Sequence, residues 1–207
     1  MRLWTIQPPV RLEHLAEVGI IHGSWKHVAD HFDNDPSLRP PGLWDWADAY
    51  KWMVQQMAAR MSKHSGNPPI WAWPVKPDLR QYRWTWMPEG WYVCIEFEVP
   101  GERVLLSDFE LWHDVLNCSV CALTEAEWDS FYDRFDADPR PKAEKRIAFA
   151  DEVMTTWQRI FDPEAKFDPA WRGPETPEWQ ACVDGLLEEW VLGARIFRTQ
   201  RPKDPWR

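Results

Sequence analysis

The chain has 207 residues, a formal net charge of -9 at pH 7 and 17 tryptophans. That length suits a single domain over 1–207 with enough chain to bury a core, while the negative balance argues against a broad electrostatic grip on nucleic acid, which needs concentrated positive charge. No run of about eighteen apolar residues occurs, and the N-terminal MRLWTIQPP lacks the apolar core of a signal peptide, so a soluble cytoplasmic protein with no membrane segment is expected.

Leu3 to Gln7 (LWTIQ) reads as a short strand, and Pro8-Pro9 opens a helix, proline being well tolerated in a first helical turn. Leu12, Leu15, Ala16 and Val18 form its expected inner face, and Gly19 ends it because glycine takes positive φ without steric cost. The apolar pair Ile20-Ile21 leads into His22-Gly23-Ser24, and a second short helix is expected over Trp25 to Phe32. Asp33 to Pro41 is a loop by its Asp, Asn and Pro content. Ala47, Tyr50, Met53, Val54, Met57 and Met61 then recur at three and four, the spacing of an amphipathic helix. Ser65 to Pro69 turns the chain into IWAW and the aromatic-basic run RQYRWTW, which reads either as an edge strand or as a flap.

The clearest stretch is Trp91 to Asn117. Trp91, Val93, Ile95, Phe97 and Val99 alternate with Tyr92, Cys94, Glu96 and Glu98, the period of a strand with one buried face, and Pro100-Gly101 stops it. After a short apolar run from Arg103 to Leu106, Ser107 and Glu110 form an S-x-x-E capping box, expected to start a helix that turns Phe109, Trp112, Val115 and Leu116 inward. Thr124 and Glu127 form a second such box for a helix through about Phe135. Asp136 to Lys145 reads as a linker, and Ile147, Ala150, Val153, Met154, Trp157 and Phe161 mark one long amphipathic helix. Past the proline-rich loop Asp162 to Pro177, EWQACV and VLGARIFR read as strands, separated by a turn at Asp184-Gly185 and a helical turn in LLEEW. The organisation expected is an α+β half over 3–117, a helical insert over 124–162 and strands over 178–198 that complete the sheet.

The four cysteines read as thiols. Cys118-x-x-Cys121 is a lone pair without a second CxxC, which leaves zinc or redox chemistry as the lesser alternative. His27 and His31 stand four apart, the spacing of a metal pair, but no acidic or cysteine partner follows nearby and a solvated helix face is expected.

LWTIQ, AYKWM, IWAW and above all VLLSDFELWHDVLN resemble a bacterial family defined as domain of unknown function 3841, from residue 3 to about residue 198. The order of elements is similar, in turn, to ADP-ribosyltransferases of the toxin, DNA-modifying and drug-modifying kinds. That likeness implies an α+β fold with a small split mixed or antiparallel sheet, flanking helices, and NAD held in a cleft as the substrate. Carried onto this sequence, it implies that Trp4, Thr5 and Gln7 on the first strand, Tyr50 on the methionine-rich helix, and Trp71 and Trp73 in IWAW touch the cofactor. Glu178 and Gln180 stand where the family has its acid, with Asp108 and His113 assisting. An acid is due there because positive charge develops at the ribose carbon as nicotinamide leaves. The first strand, read from Leu3, departs from the pattern in carrying no His or Arg, and His22-Gly23-Ser24 is a rival register for that entry motif.

ADP-ribose would pass to an acceptor that the sequence does not identify: nucleic acid, protein or small molecule. For each residue there is also a structural alternative. Asp108 favours a helix dipole at the start of its helix, His113 is a helix residue, and Trp71 and Trp73 share a buried face if IWAW is a strand. Lys76, Arg80 and Arg83, interleaved with Tyr82, Trp84 and Trp86, make 76–86 the alternative functional surface, a non-enzymatic module for nucleic acid or a protein partner. Cations lying over a tryptophan-rich edge would give the same letters.

Overall fold

The computed structural model describes residues 1–32, 46–80, 87–172 and 178–199, with 31, 32 and 46 described by backbone alone. In chain order the elements are β1 (Arg2–Gln7), α1 (Pro9–Val18), β2 (Ile20–His22), α2 (Trp25–Phe32), α3 (Trp46–Arg60), β3 (Ile70–Ala72) and β4 (Gly90–Glu98). They continue with β5 (Val104–Asp108), α4 (Phe109–Leu116), α5 (Glu125–Ala137), α6 (Lys142–Ala148) and α7 (Ala150–Thr156), then β6 (Trp179–Val183), β7 (Gly185–Leu187) and β8 (Val191–Thr199). The fold is mixed α and β, with small sheets in the strand orders β1-β4-β8, β2-β7 and β3-β6-β5. Among the described residues, no helix is long and apolar enough to cross a membrane.

The chain divides into two compact units. The first comprises Met1–Gly23, Arg60–Leu105 and the segment from Ala181 onward; the second comprises Ser24–Ala59 and Leu106–Gln180. Strands β5 and β6 therefore each begin in one unit and end in the other.

In the first unit, β4 lies between antiparallel β1 and β8. The expected alternation decides its two faces. Val93, Ile95 and Phe97 are fully buried, and across the ladder Thr5 and Leu3, the partners of Ile95 and Phe97, are fully buried as well. Burying one such aliphatic or aromatic side chain is worth about 1.5–3 kcal/mol, so this face holds the sheet. The opposite face carries Cys94 and Glu96, with Trp4 paired to Glu96 and Arg195 paired to Cys94. Trp91, expected inside, is 60% exposed at the end of the strand. Helix α1 ends at Gly19 in the left-handed region (φ 77), its N–H donating to Leu15 O at 2.8 Å. Its buried face is narrower than expected: Leu15 is buried, whereas Ala16 and Val18 face outward. Gly23 is held to glycine by space, since a Cβ there would sit 2.0 Å from Pro68 O.

In the second unit, α3 buries Ala49, Trp52, Met53 and Met57; of the expected stripe Met53 and Met57 are buried here, while Ala47, Tyr50 and Val54 are half-buried. Trp157, fully buried, donates its indole N–H to Ser119 O at 2.8 Å and meets Trp52 edge-on at 5.4 Å. The expected single helix over 147–161 is three pieces: α6, α7 and a 3-10 turn over Trp157–Phe161. The break falls at Phe149 (φ -96, ψ 0), whose ring packs against those of Phe131 and Phe135 at 5.7 and 5.5 Å. The expected linker is also shorter, because Pro141 opens α6 at Lys142.

Ser107 is not a helix cap. β5 runs one residue past it, and Asp108 takes the capping position, its Oδ1 accepting from Leu111 N at 2.8 Å. Aspartate caps as well as serine, so the strand wins Ser107 and leaves its hydroxyl buried without a partner among the described residues. The second capping box holds: Thr124 Oγ1 accepts from Glu127 N at 3.2 Å.

Candidate functional site

Within the first unit, β1 and the IWAW segment meet directly. Trp4 N donates to Trp73 O at 3.0 Å and Trp73 N to Trp4 O at 2.7 Å, a single antiparallel bridge. Thr5 Oγ1 donates to Trp71 O at 2.7 Å, and Gln7 Nε2 donates to Thr5 Oγ1 at 2.8 Å. Five of the six residues expected at the cofactor are thus neighbours, yet they do not line one surface. Side chains alternate along a strand, so Thr5 lies on the core face, fully buried with its hydroxyl spent on the Trp71 carbonyl. Trp4 faces the other way.

On that other face is a cavity of about 420 Å³, whose lining includes Trp4, Lys76, Arg80, Cys94, Glu96 and Arg195. The indole N–H of Trp4 is buried and unpartnered among the described residues. Arg80 is held by Asp78 through two 3.0 Å hydrogen bonds, an arrangement that lowers the Asp78 carboxyl below its ordinary range. Glu96 lies 3.9 Å from Lys76 and 3.4 Å from Arg2. Here the structure corrects the sequence: β1 starts at Arg2, so the first strand does carry an arginine. Arg195 is exposed and makes no ion pair among the described residues. Burial raises the Cys94 thiol above its ordinary value, against the pull of Lys76. Residues 81–86 of the aromatic-basic run lie outside the described residues.

The residues expected at the acid position fall in the second unit. Phe109 N donates to Glu178 O at 2.8 Å, which ties the end of β5 to the start of β6. Asp108, Glu178 and Gln180 therefore belong to one strand pair. Gln180 and Asp108 are each 3% exposed, whereas Glu178 is exposed. The Gln180 Nε2 group, like the Ser107 hydroxyl, is buried with no partner among the described residues. Burial pushes the Asp108 carboxyl up. His113 is exposed on α4, its Nδ1 2.9 Å from Phe109 O and its ring edge-on to Phe109 at 4.6 Å. Tyr50 is half-buried and edge-on to Trp112 at 5.5 Å, in this unit and not in that of Trp4.

Two polar groupings were missed from sequence. Asp184, expected only as a turn residue, is buried and accepts from Ser65 N at 2.9 Å and Ser65 Oγ at 2.7 Å, with His64 Nε2 at 3.6 Å and His22 Nδ1 within 3.0 Å of its carbonyl. His22, the rival entry residue, also accepts from Arg11 through its own carbonyl. These contacts pin β2, β7 and the turn before β3, while His64 Nε2 is buried without a hydrogen-bond partner among the described residues. In the second unit, Arg172 grips Asp114 with bonds of 2.7 and 2.9 Å. Burial raises the Asp114 carboxyl against the pull of Arg172, and the same pair raises the Arg172 guanidinium. Neither pairing leaves a local mark, since the partners stand 119 and 58 residues apart.

All four cysteines are free thiols. Cys121 Sγ lies 3.6 Å from Leu111 O, and burial raises its thiol well above the ordinary value. His27 is exposed, the side chain of His31 lies outside the described residues, and no cluster able to hold a metal occurs among the described residues.

A family model described as a domain of unknown function, DUF3841, matches residues 2–191. The chain belongs to that family. The DUF3841 match covers both units, taking in Trp4, Glu96 and the strand pair of Asp108 and Gln180, and ends where β8 begins. No curated protein and no solved structure matches the chain.

Proposed function

We propose that this DUF3841 protein binds NAD in the cavity beside Trp4 and transfers ADP-ribose from it, in the manner of the ADP-ribosyltransferases it resembles. The observation that carries the proposal is the chemistry of one cavity: an indole, three cations and two carboxylates, Glu96 and the Asp78 that holds Arg80, around about 420 Å³. That volume falls within the roughly 300–1,000 Å³ usual for small-molecule sites and suits one nucleoside half of NAD. Trp4 supplies a surface for a planar ring. Arg195, free of an internal partner among the described residues, and Lys76 supply charge for the pyrophosphate.

Glu96, rather than Glu178 or Gln180, is the carboxylate set against the ribose in this scheme. It stands on the strand next to Arg2 and Trp4, as an acid must if it is to offset the charge that grows at the ribose carbon. The bond from ribose to nicotinamide breaks, nicotinamide leaves with the bonding electron pair, and an acceptor nucleophile forms the new bond at the same carbon. Thr5 and Gln7 support β1 from its core face.

A thermal melt tests binding. NAD at about 100 times its dissociation constant stabilises by roughly 2.7 kcal/mol, which for a chain of this size is a rise of roughly 5–10 °C. Trp4→Leu and Arg195→Glu lose the rise, whereas Glu96→Gln keeps most of it and loses release of nicotinamide. No rise in the wild type overturns the proposal. Salt-sensitive binding of single-stranded DNA in its absence would move the function to the surface over 76–86.

A further inference from the structure

The second unit holds another cavity, also of about 420 Å³, that the NAD scheme does not use. It opens where the chain bends at Phe149. Phe131, Tyr132 and Phe135 of α5 and Phe149 supply its aromatic walls, and Arg140, Lys142, Lys145 and Arg146 bring four cations to it against the single carboxylate of Asp136. In a chain of net charge -9 this is a local reversal of sign. Part of the charge is spent internally. Arg140 is clamped by Asp138, whose carboxyl is lowered to about 2, and Lys145 donates to Asp136 O at 3.2 Å while lying 5.4 Å from the Phe135 ring centre. Lys142 and Arg146 make no ion pair among the described residues.

The backbone gives an independent sign at the same place. Cys118, on the cavity wall, has φ 52, the one non-glycine residue in the left-handed region among those described. It follows the C-terminus of α4, where glycine is the usual residue. A thiol kept at a position that favours glycine, facing a basic aromatic cavity, is strain at a place where a ligand fits.

We propose that this cavity is a second binding site, for a ligand that joins a planar base to a phosphate: a nucleoside phosphate, free or as one residue of a single-stranded nucleic acid. The aromatic walls take the base by stacking, and Arg146 with Lys142 takes the phosphate. Phe131 is buried behind the other rings, and the three half-buried rings of Tyr132, Phe135 and Phe149 exceed what a plain anion needs, while two uncommitted cations exceed what an apolar ligand needs. The site is independent of the Trp4 cavity.

Cys118 is the reporter. It is half-buried while the other three thiols are buried, and burial raises its thiol while Arg146 lowers it. A bound phosphate neutralises Arg146 and a bound base covers the thiol, and both slow alkylation, since the thiolate is the reacting form. The experiment times iodoacetamide labelling of the intact chain, read peptide by peptide, with AMP, adenosine, inorganic phosphate or a short oligothymidylate. The proposal expects AMP or the oligothymidylate to slow Cys118 labelling by roughly tenfold, and the surface variants Arg146→Glu and Lys142→Glu to abolish the effect. Protection by AMP identifies a free nucleotide, and protection by the oligothymidylate alone identifies a single strand. Equal protection by phosphate alone or by adenosine alone overturns the proposal, as does no protection by any probe. Cys94, which lines the Trp4 cavity, is read in the same digest, so the two sites fail or succeed separately.

Discussion

Ser107→Ala should make the protein more stable. The hydroxyl of Ser107 is fully buried at the end of β5 and has no hydrogen-bond partner among the described residues. Burying such a group unpaired costs about 1–3 kcal/mol by mutational measures, and removing it returns most of that sum. The substitution deletes one atom, so the void it leaves costs a few tenths to about 1 kcal/mol. The net expectation is a gain of about 1–2 kcal/mol, or roughly 2–8 °C in melting temperature for a chain of this length. Urea unfolding at neutral pH measures it, with the midpoint rising at constant slope. A loss of about 1 kcal/mol or more would refute the reasoning, because it would mean that the hydroxyl has a partner whose bond the alanine removes. Greater stability accompanied by lost activity would mark Ser107 as a functional residue held at structural expense.

Cys118→Gly relieves the left-handed strain at φ 52 and should stabilise by about 0.5–1 kcal/mol, whereas Cys118→Ala should not; equal melting temperatures for the two would refute this. Burial holds the Asp108 carboxyl above its unfolded value, so between about pH 4 and its folded value the native state keeps a proton that the unfolded chain has lost. Stability therefore falls as pH rises through that window. Asp108→Asn keeps a capping side chain and should flatten the fall, which urea midpoints across mildly acidic pH would show; an unchanged slope contradicts it. Gly23→Ala places a Cβ 2.0 Å from the Pro68 carbonyl, where neither backbone can yield cheaply, and should cost at least about 3 kcal/mol; a melt within a degree of wild type would sink the idea.

Periodicity made α3 and β4 legible, because Met53, Met57, Val93, Ile95 and Phe97 repeat at the spacings their elements impose. Gly19 was legible for the same kind of reason, a backbone requirement met by one residue type. What failed was competition between neighbours. Ser107 and Asp108 can both cap a helix, and only the pairing of β5 decides between them. Phe149 sits in an apolar repeat that reads as one helix, until its ring is claimed by Phe131 and Phe135. At the Trp4 cavity, the sequence supplied Trp4 but could not supply Glu96 or Arg195, which reach it only through the register of β1, β4 and β8. Thr5 and Trp4 were grouped together although they lie on opposite faces, because naming a strand without fixing its faces puts opposite side chains into one list.

The family match stops at residue 191, the first residue of β8. A chain ended there would keep every matched residue and still lose one of the two strands that flank β4. The N–H and C=O groups of β4 that β8 now pairs would be bare along one side, beside the apolar row of Val93, Ile95 and Phe97. A long apolar strand with an open side is the shape onto which a second copy adds itself, and such proteins precipitate or form fibres. Fragments for expression should therefore be drawn by where the sheet closes, one strand beyond where the family similarity ends.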